Sequence, residues 1–305
     1  MRLEDKLAAY LEYCEYRKQL DKKTLKAYRI DLRQYFEHVN ADEPDKEKIE
    51  EFVTYLHKSY KQKTVKRKIA SMKAFYNYLE ECEIIAESPF RKIKVKFKEN
   101  LILPRIIPRE EIEHLLNHMY GCLQQASETV YKYCLRDVAV IELFFATGAR
   151  VYEISNIRAE NVNLNTGLIQ LMGKGAKERY VQIGSTSVLN ILRKYYAENR
   201  AAIKKSGYFF VNGRGNRYTE QSIRLMLKKY TAQAGIERNI TPHMFRHSFA
   251  TYLIEEGVDI SCVQRILGHS SIKTTQIYIH VAARKQAEIL RDMHPRNNMK
   301  IIGAA

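Results

Sequence analysis

The chain has 305 residues, 45% of them hydrophobic and 28% charged, a balance that suits a globular protein with room for two domains. Its 51 Lys and Arg against 35 Asp and Glu leave a formal net charge of +16, which favours a polyanionic partner, nucleic acid ahead of an acidic membrane surface. A membrane span, export and a disulfide or zinc framework all read as excluded. The richest apolar run, Val138 to Ala146, is short and broken by Glu142, the start M-R-L-E-D-K-L carries no signal region, and the five cysteines never fall in C-x-x-C spacing. A cytoplasmic location is the resulting expectation.

From Leu3 to about Glu83 the apolar residues recur at helical spacing in four segments, which predicts a four-helix domain over residues 1–88. Around and along the fourth segment Lys58, Lys61, Lys63, Lys66, Arg67, Lys68 and Lys73 follow one another with no acid between them. Such a face suits a DNA backbone, and an ordinary solvated helix face is the plainer alternative. Residues 89–108 hold Pro89, Pro104, Pro108 and a basic alternation from Arg91 to Lys98, and read as an interdomain linker.

A second domain is expected over residues 109–305. Pro108 with Glu110 and Glu111 fits a helix start, and a following helix that includes Val138 to Phe145 is apolar almost all round, so it should run through the core until Gly148 ends it. Leu168–Met172 and residues 179–183 read as strands of a hairpin with Lys174 at its turn. Helices are expected at 187–204, 219–234, 243–256, 260–267 and 283–293, with a short apolar strand or buried loop at 208–211. The fold class is therefore mainly α: an N-terminal helical bundle followed by a mixed α+β domain with a small antiparallel sheet.

Basic and titratable residues then gather in a recognisable order: Arg150 in A-T-G-A-R-V-Y-E, Lys174 in G-K-G-A-K-E-R, His243, Arg246 and His247 in H-M-F-R-H-S-F-A-T, His269 after L-G, and Tyr278 closing T-T-Q-I-Y. Displacement at a phosphodiester builds negative charge on nonbridging oxygens, so a site for it needs fixed cationic donors, an in-line nucleophile and an acid for the leaving oxygen. Arginine suits the clamp because its planar fork stays charged. A phenol suits the nucleophile because its covalent ester conserves the bond energy for resealing without a nucleotide. Lys174 could protonate the leaving oxygen, His243 could accept the tyrosine proton or hold the phosphate, and His269 could donate to it.

At these motifs the chain closely resembles the tyrosine recombinases of the phage integrase family, in a simple two-domain, Xer-like form. The resemblance implies catalytic Arg150, Lys174, His243, Arg246, His269 and Tyr278, with Glu153 supporting the first arginine and His247 beside the second. It implies a SAM-like core-binding domain whose DNA contacts would include Lys61, Lys63, Lys66, Arg67, Lys68 and Lys73. It also implies duplex DNA carrying a recombination site as partner, a tetramer in the synaptic complex, and no cofactor. The segment 283–293 after Tyr278 is expected to pack on a neighbouring protomer, a C-terminal helix exchange, and an accessory activator protein stays open. Chromosome-dimer resolution, mobile-element integration or excision, and inversion all stay open as roles.

Blander readings weigh against single motifs. His243 and His247 stand four apart, as a metal pair would, but Met244 follows where H-E-x-x-H has its glutamate. Gly173-Lys174-Gly175 lacks the spacing and hydroxyl of a Walker loop. Arg150 with Glu153, taken alone, reads as a surface ion pair. Two other functions would use the same residues or scaffold: a type IB topoisomerase-like relaxer and a DNA-binding regulator.

Overall fold

The computed structural model describes residues 3–39, 46–93, 95, 97, 104–173, 178–268, 291 and 294. Contacts divide the chain into two units, Met1–Asn100 and Leu101–Ala305.

In the first unit four helices, α1 (Leu7–Tyr16), α2 (Lys22–Val39), α3 (Lys46–Ser59) and α4 (Gln62–Glu81), bury the stripes that the periodicity marked. Asp21 starts α2 by accepting from the backbone N–H groups of Lys23 and Thr24 at 2.9 and 3.1 Å, taking up donors that a helix N-terminus leaves free. The core is aromatic: Tyr10, Tyr35, Phe52, Phe75 and Tyr76 are buried. The two phenols of Tyr35 and Tyr76 satisfy each other at 2.6 Å. Phe90 and Ile93 are also buried in this core, the former on a 3₁₀ turn at Pro89–Arg91. The first unit's packing thus reaches into the segment read as a linker, because those two side chains need apolar cover that solvent would not give.

The second unit is built round α6 (Glu128–Thr147), most of whose residues from Cys134 on are buried. Against it pack α5 (Arg109–Gln124), α8 (Thr186–Ser206) and α10 (Pro242–Glu255), while α9 (Glu220–Gln233) closes on α5 and on the short α7 (Val151–Ser155). The sheet is antiparallel in the order β1 (Val162–Asn163), β2 (Leu168–Met172), β3 (Glu178–Gln182), with Ile169 opposite Val181. Ile169, Leu171 and Val181 face the core and their neighbours face out, as a period of two requires. The 208–211 stretch is a buried loop with isolated bridges, Arg158 to Tyr208 and Val211 to Arg217. A last helix, α11 (Ile260–Leu267), is started by Asp259, whose carboxylate accepts from the Ser261 N–H at 2.7 Å.

The chain enters this unit along α10. The backbone N–H of Ile107 donates to Ser248 Oγ at 2.8 Å, and Tyr252 Oη donates to the Ile107 carbonyl. Among the described residues no helix is long and apolar enough to cross a membrane.

Candidate active site

The site begins where α6 stops. Gly148 sits at φ 58°, in the left-handed region that ends helices and favours glycine. A Cβ there would lie 2.5 Å from Phe249 Cδ1 and 2.9 Å from Leu267 Cδ2, so both conformation and space call for glycine. The turn delivers Arg150 to the N-cap of α7. Glu153, one turn on, accepts from the Arg150 backbone N–H through Oε2 at 2.7 Å and from Arg150 Nη1 through Oε1 at 2.8 Å. The carboxylate side chain is 1% exposed and the arginine 37%. One end of the Arg150 guanidinium is fixed by a buried anion, and over a third of the side chain stays open to a ligand. This is not the surface ion pair that the dipeptide pattern alone would give.

Arg246 comes from the first turns of α10, whose Pro242 at the start suits a position with no helical N–H partner. It is buried, and its Nη1 donates to the Gly148 carbonyl at 2.7 Å while Nη2 donates to the Leu267 carbonyl at 2.6 Å. A single guanidinium thus ties the end of α6 to the end of α11, two residues from Arg150 in one direction and two from His269 in the other.

His243 lies one turn before Arg246 with part of its ring exposed. Desolvation by its neighbours, then the charges of Arg224, Arg246 and Arg150, hold its pKa below the ordinary imidazole value, with Glu220 pulling the other way. His247 is half-buried and lowered too, by burial first and then by His243 and Arg246. For both rings the surroundings favour the neutral imidazole, the form that can accept a proton.

Lys174, His269 and Tyr278 lie outside the described residues, as does the segment 283–290 of the predicted last helix. The residues before two of them are placed: Gly173 follows β2, and Gly268 caps α11 at φ 64°. Among the described residues no three His, Cys, Asp or Glu side chains gather as a metal site would.

One residue that the sequence reading passed over joins the site. Arg179, on β3, donates through Nη2 to Glu153 Oε2 at 2.6 Å and through Nη1 to the Ile266 carbonyl at 3.0 Å. It closes the G-K-G-A-K-E-R motif, and a signal was available: it shares the inward register of Val181 and Ile183, so its charge must find partners inside. Among the described residues, Arg150, Arg179, Arg224 and Arg246 stand here against Glu153 and Glu220, an excess of positive charge that makes the arrangement receptive to an anion.

In the first unit Lys61, Lys63, Lys66 and Arg67 are exposed and Lys73 is half-buried. Lys68 corrects the reading of this face. Its side chain is 5% exposed and its Nζ donates to the fully buried Asp31 of α2 at 3.0 Å. Arg67 and Ser71 also donate to Asp31. The acid missing from the lysine run is supplied across the bundle, so Lys68 is a buried structural charge rather than part of an exposed DNA face.

The chain matches two family models: the phage integrase family over residues 105–285 and the phage integrase N-terminal SAM-like domain over residues 7–82. It is 46% identical to a tyrosine recombinase of Agathobacter rectalis, over 97% of this chain and 98% of that one. It is 33% identical to the tyrosine recombinase XerD of Listeria innocua, over 96% of this chain and 100% of that one. Among solved structures, the XerH site-specific recombinase bound to a palindromic difH substrate in a post-cleavage complex shares the fold with a TM-score of 0.74 at 23% identity, covering 94% of this chain and 84% of that one. On both its domains and nearly its whole length, the chain belongs to the phage integrase family, and it is a tyrosine recombinase.

Proposed function

We propose that this recombinase acts on duplex DNA at a specific site, with Tyr278 as nucleophile and Arg150, Arg246, Lys174, His243 and His269 around the scissile phosphate. The Tyr278 phenol oxygen attacks phosphorus, the bond to the 5′ oxygen breaks, and a 3′-phosphotyrosyl ester remains. The phenol proton passes to neutral His243, and Lys174 gives a proton to the departing 5′ oxygen. Arg150, Arg246 and His269 donate to the nonbridging oxygens, where charge accumulates in the transition state. Reversal with a different 5′ hydroxyl joins strands from two sites without a nucleotide cofactor.

The observation that carries this reading is the convergence of two arginines on the Gly148 turn. Arg246 is anchored on its carbonyl, and Arg150 is held two residues later by buried Glu153. Fixed cations at one place need no reorganisation as charge develops. The exposed Lys61, Lys63, Lys66 and Arg67 and the half-buried Lys73 would meet the DNA backbone, and their contribution would be salt-dependent. A tetramer on two sites, with residues 283–293 packed on the neighbouring protomer, completes the proposal.

The test is incubation of wild type and Tyr278→Phe with nicked suicide duplexes carrying a candidate site, followed by denaturing electrophoresis. The expected result is a covalent band with wild type alone, joined through the 3′ phosphate, and strand exchange on two-site substrates. A band with Tyr278→Phe would refute the nucleophile. Plasmid relaxation with no exchange would refute recombination in favour of a relaxer.

A further inference from the structure

We infer that Arg179 is a positioning residue for this chemistry: it holds Glu153 so that the carboxylate aims Arg150, and it ties that pair to the end of α11. The inference rests on the function proposed above. Arg179 connects three elements, each adjoining one of the proposed catalytic residues. β3 begins four residues after Lys174 in the sequence, α7 begins directly after Arg150, and α11 is capped by Gly268, the residue before His269.

The division of bonds is specific. Glu153 Oε1 takes Arg150 Nη1, while Oε2 takes both the Arg150 backbone N–H and Arg179 Nη2. With Oε2 pinned from two sides, the plane of the carboxylate is set, and with it the direction in which Oε1 holds the Arg150 side chain. The other arm of Arg179 reaches the Ile266 carbonyl, and its stem packs against the cap of the same helix. A Cβ on Gly268 would lie 2.7 Å from Arg179 Cδ.

Burying a guanidinium is a poor way to gain stability. Its side chain is 9% exposed, desolvation opposes its charge, and a hydrophobic residue of similar volume would often serve the fold as well. A hydrophobe cannot hold a carboxylate oxygen and a backbone carbonyl at once. Lysine has donors enough, but they leave one atom, without the planar fork that reaches two separated acceptors in fixed directions. The arrangement thus suits orientation better than it suits stability.

The experiment compares single-turnover cleavage of a suicide duplex with a natural scissile phosphate and of one with a neutral methylphosphonate there, by wild type, Arg179→Met and Arg179→Lys. If Arg179 acts by aiming a cation at a charged nonbridging oxygen, both variants should cleave the natural duplex about 10- to 100-fold more slowly. Their DNA concentration dependence should be unchanged, and on the methylphosphonate they should match wild type within about twofold. Equal losses on the two substrates, or no loss on the natural one, would overturn the inference. Should Arg179→Met not fold, Arg179→Lys keeps charge and bulk and gives the same comparison. An adduct from Tyr278→Phe would instead sink the reading beneath it, and that result is distinct from the others.

Discussion

Gly148→Ala tests the turn on which the site is built. The residue would have to keep φ 58°, which costs an L-residue about 1–2 kcal/mol. Its Cβ would meet Phe249 Cδ1 at 2.5 Å and Leu267 Cδ2 at 2.9 Å, both side chains packed with α10 and α11, and overpacking of that kind costs about 1–3 kcal/mol more. The expected destabilisation of the second unit is the sum, about 2–5 kcal/mol. Gly207→Ala is the matched control. Its φ is 72°, yet an added Cβ would meet only Arg158 Nη1, at 3.3 Å, the far end of a side chain that can move. It should cost only the conformational part, about 1–2 kcal/mol. Hydrogen exchange of α6 and α10 peptides in the full chain, with α4 peptides as internal reference, reads the difference. Because the Gly148 carbonyl also anchors Arg246, the variant should cleave suicide DNA more slowly as well. Equal destabilisation by the two substitutions would refute the close-packing argument, and unchanged cleavage would refute the link from turn to arginine.

Two further outcomes follow from the charges. Asp31→Ala would leave Lys68 buried without its carboxylate, at a cost of about 3–5 kcal/mol to the first unit, and Asp31→Leu with Lys68→Met should recover most of it; exchange of α2 and α4 amides measures both. For His243, the charge of Arg224 is among the causes of the lowered pKa, after burial. Removing that cation with Arg224→Gln lets the pKa rise, so a higher pH is needed to keep the imidazole neutral as base. The acid limb of the cleavage-rate profile should move to higher pH, and a shift to lower pH would refute the assignment of His243 as acceptor.

The sequence was informative where periodicity and order of residues suffice. The helix expected at 260–267 is α11 as observed, and those expected at 187–204, 219–234 and 243–256 differ from α8, α9 and α10 by one or two residues at their ends. The two strands of the hairpin stand where alternation placed them, within one residue. What escaped was short or non-local. Five-residue α7 and two-residue β1 hold too few residues to show a period. Lys68 reads as one more lysine in a basic run until α2 brings Asp31 against it from 37 positions away. Arg179 sits 26 positions from Glu153, and only the fold makes them neighbours. Arg150 with Glu153 was legible because the contact is a local capping bond, three residues long.

The clasp on Ile107 has a mechanical consequence. Both backbone polar groups of that one residue are gripped by residues four apart on the helix that also carries His243 and Arg246. A pull along the incoming strand of chain would therefore load α10 itself before any other helix. The helix that holds two of the proposed catalytic groups thus doubles as the mooring of the upstream chain, and tension on that line would be felt first where the phosphate is to be held.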